Sequence, residues 1–330
     1  MARFAPALVL VPVAALVVAG CGGGGRAVPG RQAASLPTRC AARPDASSSS
    51  NLLWLGGGRN VVYYVHGGRV ISSQGRGPAL PPFATPVGFR ACRTPLLLYQ
   101  LGGELRAAPL TGGRKTQSLG QNAVVASDGQ LVSFAGAQVR YGLGYSFEAR
   151  GLPPKWNIVS LAVSPQSPRV LLAATQSPAA GIESCGKLGR IYRITPSQSK
   201  TILVDNPCRD KPEIAWSPNG SSISYITGES NDLYVLNADG SHLRRISVPG
   251  RVRRYLWSPD GSRIAYVTTD GEAAVVAVSS GAVHDLGRVA PLAWSPNGRE
   301  IAVAAAGKPQ IEAVSASGSG SRVLLRLKKS

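Results

Sequence analysis

Three segments of the chain are near copies of one another: IAWSPNGSSISYI at residues 214–226, YLWSPDGSRIAYV at 255–267 and LAWSPNGREIAVA at 292–304. Self-similarity at a period near 40 residues is the mark of a repeat architecture and constrains the fold more than any local propensity does. Each copy has a short apolar run ending in Trp, a Ser-Pro-Asn/Asp-Gly turn, and then an alternating apolar strand. Pro fixes one φ and Asn/Asp-Gly admits positive φ, which a tight reversal between antiparallel strands requires. Weaker strand patterns follow at 233–236 and 274–278. Four short antiparallel strands in about 40 residues read as one blade of a β-propeller.

With each Trp set to position zero, the seventh residue is Ile223, Ile264 or Ile301 and the ninth is Tyr225, Tyr266 or Val303. The same ruler fits Trp54 with Val61 and Tyr63, Val125 with Val132 and Phe134, Val163 with Val170 and Leu172, and Phe89 with Leu96 and Leu98. Zero positions at 54, 89, 125, 163, 216, 257 and 294 give seven repeats. The expectation is an all-β, seven-bladed propeller of four-stranded antiparallel blades, with six blades as the alternative if the Trp54 repeat is incomplete.

The WSPDG turn followed by an alternating strand, together with DLYVLNADGSHLRRI at 232–246, is similar to the TolB-like (WD40-like) class of propeller repeats. The resemblance covers residues 210–330 well and residues 50–210 poorly. It implies an extracytoplasmic protein that acts as a protein-binding scaffold. Propellers also serve as peptidases and lyases, so the fold alone does not choose an activity.

Residues 4–20 are apolar after a single Arg3, too short for a comfortable membrane span and interrupted by Pro6 and Pro12. They end in Val18-Ala19-Gly20-Cys21, which resembles a bacterial lipobox with Cys21 as the lipid-bearing thiol. An ordinary signal peptide or an anchor helix, with a chance Cys, is the alternative. The expected organisation is a lipoprotein signal peptide at 1–20, a flexible Gly/Ser/Arg-rich tether at 21–50, and a single propeller domain at 51–330. The expected location is outside the cytoplasm, lipid-anchored to a bacterial cell membrane.

With Cys21 acylated, Cys40, Cys92, Cys185 and Cys208 remain, an even number that allows three pairings. The fourth repeat carries an insertion around Cys185 between its second and third strands, and Cys208 lies in the connector to the next blade. Both kinds of loop emerge on one propeller face, so a Cys185–Cys208 disulfide is expected there, leaving Cys40 with Cys92 by elimination. There is no CxxC, and His66, His242 and His284 fall in separate blades, so no metal and no cofactor are expected.

Lys and Arg outnumber Asp and Glu by 36 to 17. Long-range attraction would draw such a domain to anionic lipids, acidic wall polymers or acidic proteins, and export argues against nucleic acid. Arg makes up 28 of the 36 basic residues, a bias that genome composition alone can produce. Arg244, Arg245, Arg251, Arg253 and Arg254 fall within eleven residues that hold no acid, and they form the candidate anion or partner patch. The chain has no Gly-x-Ser-x-Gly elbow, Walker A loop or dinucleotide fingerprint after a strand. The expected function is therefore a non-catalytic scaffold, with an envelope protein or an anionic polymer as its partner and the protein itself monomeric. The alternative is a channel-mouth enzyme (lyase, glycosidase or peptidase-like) acting on envelope polysaccharide or peptide, because channel-lining residues come from separate strands and leave no local motif.

Overall fold

The computed structural model describes residues 46–48, 52–56, 61–90, 95–110, 116–121, 123–125, 131–135, 138–141, 145–148, 157–167, 170–176, 190–195, 199–203, 214–226 and 230–327. Every element among them is a strand. The first sheet holds β1 (Ala46–Ser48), β2 (Leu52–Leu55), β3 (Val61–His66), β4 (Arg69–Ser72) and β5 (Gly75–Ala79). The second holds β6 (Thr85–Arg90), β7 (Leu96–Leu101), β8 (Glu104–Pro109) and β9 (Gln117–Gln121). Next come β10 (Ala123–Val125), β11 (Leu131–Ala135), β12 (Gln138–Tyr141) and β13 (Tyr145–Glu148), and then β14 (Asn157–Val163), β15 (Leu171–Gln176), β16 (Arg190–Ile194) and β17 (Ser199–Leu203).

The strong repeats supply β18 (Ile214–Trp216), β19 (Ser222–Ile226), β20 (Leu233–Asn237) and β21 (Arg244–Arg245), followed by β22 (Val252–Trp257), β23 (Arg263–Thr268), β24 (Ala273–Ala277) and β25 (Val283–Gly287). The chain ends with β26 (Val289–Trp294), β27 (Glu300–Ala305), β28 (Gln310–Ser315) and β29 (Ser321–Arg326). All pairings are antiparallel between strands consecutive in sequence. Side chains are described across five of these blades, namely β1–β5, β6–β9, β18–β21, β22–β25 and β26–β29. The sheets β10–β13 and β14–β17 are described mainly through backbone pairing.

The leading strands of neighbouring sheets touch one another: β2 meets β6 and β26, β14 meets β18, and β22 meets β26. Only strands converging on a common axis can do this, so the sheets are antiparallel blades of a propeller, four-stranded apart from the first. The cores lie between blades. Leu52, Trp54 and Val62 pack with Leu292, Ala302, Ile311 and Leu325, which joins the first sheet to the last and closes the ring. Ala265 and Val275 pack with Trp294, Ile301 and Val303. Each repeat Trp donates from Nε1 into the preceding sheet: Trp216 to the Ala162 carbonyl at 3.4 Å, Trp257 to Ser224 Oγ at 2.7 Å, and Trp294 to the Leu256 carbonyl at 3.0 Å. These Trp side chains are inter-blade wedges.

The seven-residue ruler holds in the strong repeats, where Trp216 pairs with Ile223, Trp257 with Ile264 and Trp294 with Ile301. It slips by one elsewhere. Trp54 faces Val62, Phe89 faces Leu97, Val163 faces Leu171 and Val125 faces Leu131. Without the Ser-Pro-Asn/Asp-Gly turn, loop length is free to change by a residue, and the face presented by the next strand changes with it.

The boundary of the tether also moves. Residues 46–48, assigned to the tether from composition, form β1, with Ala46 opposite Leu55, Ser47 opposite Trp54 and Ser48 opposite Leu53. Strand pairing is a backbone matter, so a Ser-rich segment can join a sheet without apolar side chains of its own. The first blade is therefore five-stranded. Because β2 is already an axial strand, β1 lies on its channel side, against β6 and β26.

Candidate functional site

Antiparallel order divides the blade loops between two faces. The first-to-second and third-to-fourth turns, including every Ser-Pro-Asn/Asp-Gly, lie on one face, called here the turn face. The second-to-third loops and the connectors between blades lie on the other, the connector face. Among the described residues, the Ser-Pro turns of the turn face are internally bonded. Ser217, Ser258 and Ser295 are buried, and each donates from Oγ to the Asn or Asp two residues on: Asn219 at 2.7 Å, Asp260 at 2.5 Å and Asn297 at 2.7 Å. Successive turns are also linked across blades. Gln166 Nε2 donates to the Asn219 carbonyl at 2.6 Å, Asn219 Nδ2 to the Asp260 carbonyl at 3.1 Å, and an Arg263 guanidinium nitrogen to the Gly298 carbonyl at 2.7 Å. Gly261 has φ +72°, and a Cβ there would lie 2.7 Å from Asn219 Nδ2, so the close approach of the two turns needs Gly.

The five arginines read as one patch do not form one. Arg244 and Arg245 sit on β21, and alternation sends them opposite ways. Arg244 donates to the Val278 carbonyl of the next blade, and Arg245 pairs with Asp232 at 2.7 Å. Arg254 on β22 is intermediate in exposure and engaged. Arg251 and Arg253 are the members whose side chains are left exposed without a hydrogen bond or ion pair among the described residues. Arg251 ends the connector and its carbonyl accepts from Thr269 N at 2.8 Å. Arg253 is the extra residue of a β-bulge between Val252 and Arg254, at the connector-face end of an axial strand. A bulge re-aims the side chain it carries, and Arg253 is exposed.

A second feature of this face has no periodic signal in the sequence. The connector from β5 to β6 turns at Pro81-Pro82-Phe83-Ala84, with Ala84 N donating to the Pro81 carbonyl at 3.1 Å. Phe83 occupies the left-handed region at φ 62° and is 97% exposed. Pro-Pro marks a turn, but nothing in the sequence says that its third position is a bulky aromatic in a conformation that suits Gly. Val87, 39% exposed, is the extra residue of a bulge between Pro86 and Gly88 in β6, another axial strand.

Several carboxylates are committed to ion pairs. Glu104 pairs with Arg106 at 3.2 Å, Glu272 with Arg288 at 2.6 Å, Glu300 with Arg322 at 2.7 Å and Glu312 with Lys308 at 3.1 Å. Hydrogen bonds from Gln310 and Lys308 hold the Glu312 carboxyl below its ordinary range. Burial raises the Asp260 carboxyl, but bonds from Ser258 and Ser262 and the charge of Arg263 outweigh it and leave it lowered. Among the described residues no three His, Cys, Asp or Glu side chains are grouped to hold a metal. His66 stacks on Tyr64, and His242 Nδ1 is 2.9 Å from Asn237 Nδ2. Cys21, Cys40, Cys92, Cys185 and Cys208 lie outside the described residues, so the lipid site and both disulfides are not addressed by the fold. Among the described residues no helix is long and apolar enough to cross a membrane.

No family model matches the chain, and no curated protein does. Solved structures similar to it include a protein of Agrobacterium tumefaciens assigned as TolB (18% identity, 70% of this chain and 76% of that one, TM-score 0.40). An oligogalacturonate lyase in complex with manganese matches at 14% identity over 90% of this chain and 83% of that one, with TM-score 0.49. Regucalcin, a calcium-binding protein of Agrobacterium tumefaciens, matches at 15% identity over 63% and 77%, with TM-score 0.42.

Proposed function

We propose that the protein is a non-catalytic extracytoplasmic scaffold whose connector face binds another protein or an anionic envelope polymer. The observation that supports this best is the exposed pair Arg251 and Arg253, placed at the connector-face end of β22 by a connector and a bulge, with no acid paired to either among the described residues. Guanidinium forks in that state suit carboxylate or phosphate groups. The same reading takes the ring as seven-bladed and monomeric, and residues 21–45 as a tether carrying a lipid on Cys21. It also takes Cys185 with Cys208 and Cys40 with Cys92 as disulfides.

The test is retention of the full-length protein on immobilised polyglutamate and on phosphatidylglycerol vesicles, for wild type and for Arg251→Ser/Arg253→Ser. The double variant should be retained less on both, and its retention should depend less on salt, because exposed charge pairing is screened over about 10 Å at 0.1 M. Unchanged retention, combined with turnover of an envelope glycan or peptide by the wild type, would replace this reading with the enzymatic one.

A further inference from the structure

Three features separate the two faces of the ring. First, β1 runs antiparallel to β2, with Ala46 beside Leu55 and Ser48 beside Leu53. Leu55 is the turn-face end of β2, so Ala46 lies at the turn-face end of the channel and Ser48 nearer its connector-face end. Second, among the described residues the first-to-second turns of the last four blades are bonded to one another across the turn face. Third, the connector face carries groups that the fold leaves unused. Arg251 and Arg253 lie on the sixth blade, and Arg69, also exposed without a partner among the described residues, lies on the first. Arg69 pairs across strands with Ala79, and Leu80 N donates to the Gly68 carbonyl at 2.8 Å, which ties this corner to the connector bearing Phe83.

Phe83 decides the chemistry. A left-handed φ is costly for an aromatic residue, and here no packing compensates, since the side chain is 97% exposed. An aromatic fixed at a rigid Pro-Pro tip, with Val87 turned out by a bulge on the same face, is an anchor without its pocket. A charged polymer offers carboxylates or phosphates but no apolar pocket.

We propose that the connector face is a protein-docking surface for an acidic segment with an apolar side, such as an acidic amphipathic helix. Phe83 and Val87 take its apolar side, and Arg69, Arg251 and Arg253 take its carboxylates. This rests on the scaffold reading and narrows it to one face and one class of partner. The net charge of +19 complements such a segment.

The experiment measures binding of an eighteen-residue helical peptide of Glu and Leu to the full-length protein, with polyglutamate of equal length and phosphatidylglycerol vesicles as comparators. The variants are Phe83→Gly and Arg251→Ser/Arg253→Ser. Gly suits φ 62°, so Phe83→Gly should melt no lower than wild type, and it should bind the Glu/Leu peptide about tenfold or more weakly. Its affinity for polyglutamate should be unchanged. The arginine variant should weaken both and flatten their salt dependence. The docking proposal is overturned if Phe83→Gly binds the Glu/Leu peptide like wild type, if it melts lower, or if wild type holds polyglutamate or vesicles as tightly as the peptide. In those cases weakening by the arginine variant leaves the scaffold reading standing. A wild type that holds none of the three probes overturns both.

Discussion

Asp260 stands in its repeat where Asn219 and Asn297 stand in theirs, and the three side chains accept the same bonds. Oδ1 takes a serine hydroxyl two residues back and an amide two residues on: Ser258 and Ser262 for Asp260, Ser217 and Ser221 for Asn219, Ser295 and Arg299 for Asn297. An amide oxygen therefore suffices for the turn, and the charge of Asp260 adds a pH dependence that the other turns lack. Its carboxyl titrates below the ordinary value of about 3.9, so in acid the unfolded chain binds the proton more readily than the folded one. The stabilisation is complete above that value and is lost as pH falls through the lower folded one. Asp260→Asn should leave the urea midpoint at pH 6 close to wild type and narrow the gap between the midpoints at pH 6 and pH 3. The effect is modest because the group is exposed. An undiminished gap in the variant would show that the carboxyl contributes nothing to acid sensitivity.

At the scale of elements, the sequence was legible where turn chemistry fixed the register and illegible where it did not. Trp, Ser-Pro and Asn/Asp-Gly together placed β18, β22 and β26 and their partners to the residue. The Gly-rich loop after Trp54 and the segment after Phe89 left the next strand one residue out of step. The arginine cluster was visible as a count, but its division was not, because it depends on which residues fall on β21 and which on the bulge of β22. Phe83 was invisible, since exposure at a turn leaves no periodic trace. The strand β1 was invisible for a related reason: it adds backbone hydrogen bonds to the inner edge of β2 and nothing apolar to a pattern. Ser47→Pro in the full chain should test that edge. Pro removes one N–H and restricts the residue before it, so β1 should detach while the other pairings of the first sheet persist. Hydrogen exchange should then accelerate at the channel-side amides of β2 and stay slow in β23 and β27. Unaltered protection in β2 would mean that β1 does not pair there in solution.

The ring as a whole depends on one joint that no repeat encodes locally, between the sheet that begins the described chain and the sheet that ends it. Trp54, 1% exposed, packs with Leu52 and Val62 against Leu292, Ala302, Ile311 and Leu325. Arg322, bonded to Glu300, places its guanidinium 5.9 Å from the Trp54 ring centroid. An Arg also lies over a repeat Trp one joint earlier, where Arg263 of β23 is 5.1 Å from the Trp294 ring centroid, although Arg263 comes from a second strand and Arg322 from a fourth. In an open stack of repeats, losing an end removes one interface and stability falls by that share. A closed ring loses two. Deleting residues 289–330 would strip Trp54 and Val62 on one side and Ala265 and Val275 on the other, leaving two apolar blade faces in water. The expected product is insoluble, or unfolds without a cooperative transition in urea. A soluble product with one sharp transition and a slope reduced only in proportion to its length would mean that the blades stack as an open array, and the interface between the first and last sheets would then contribute little to the fold.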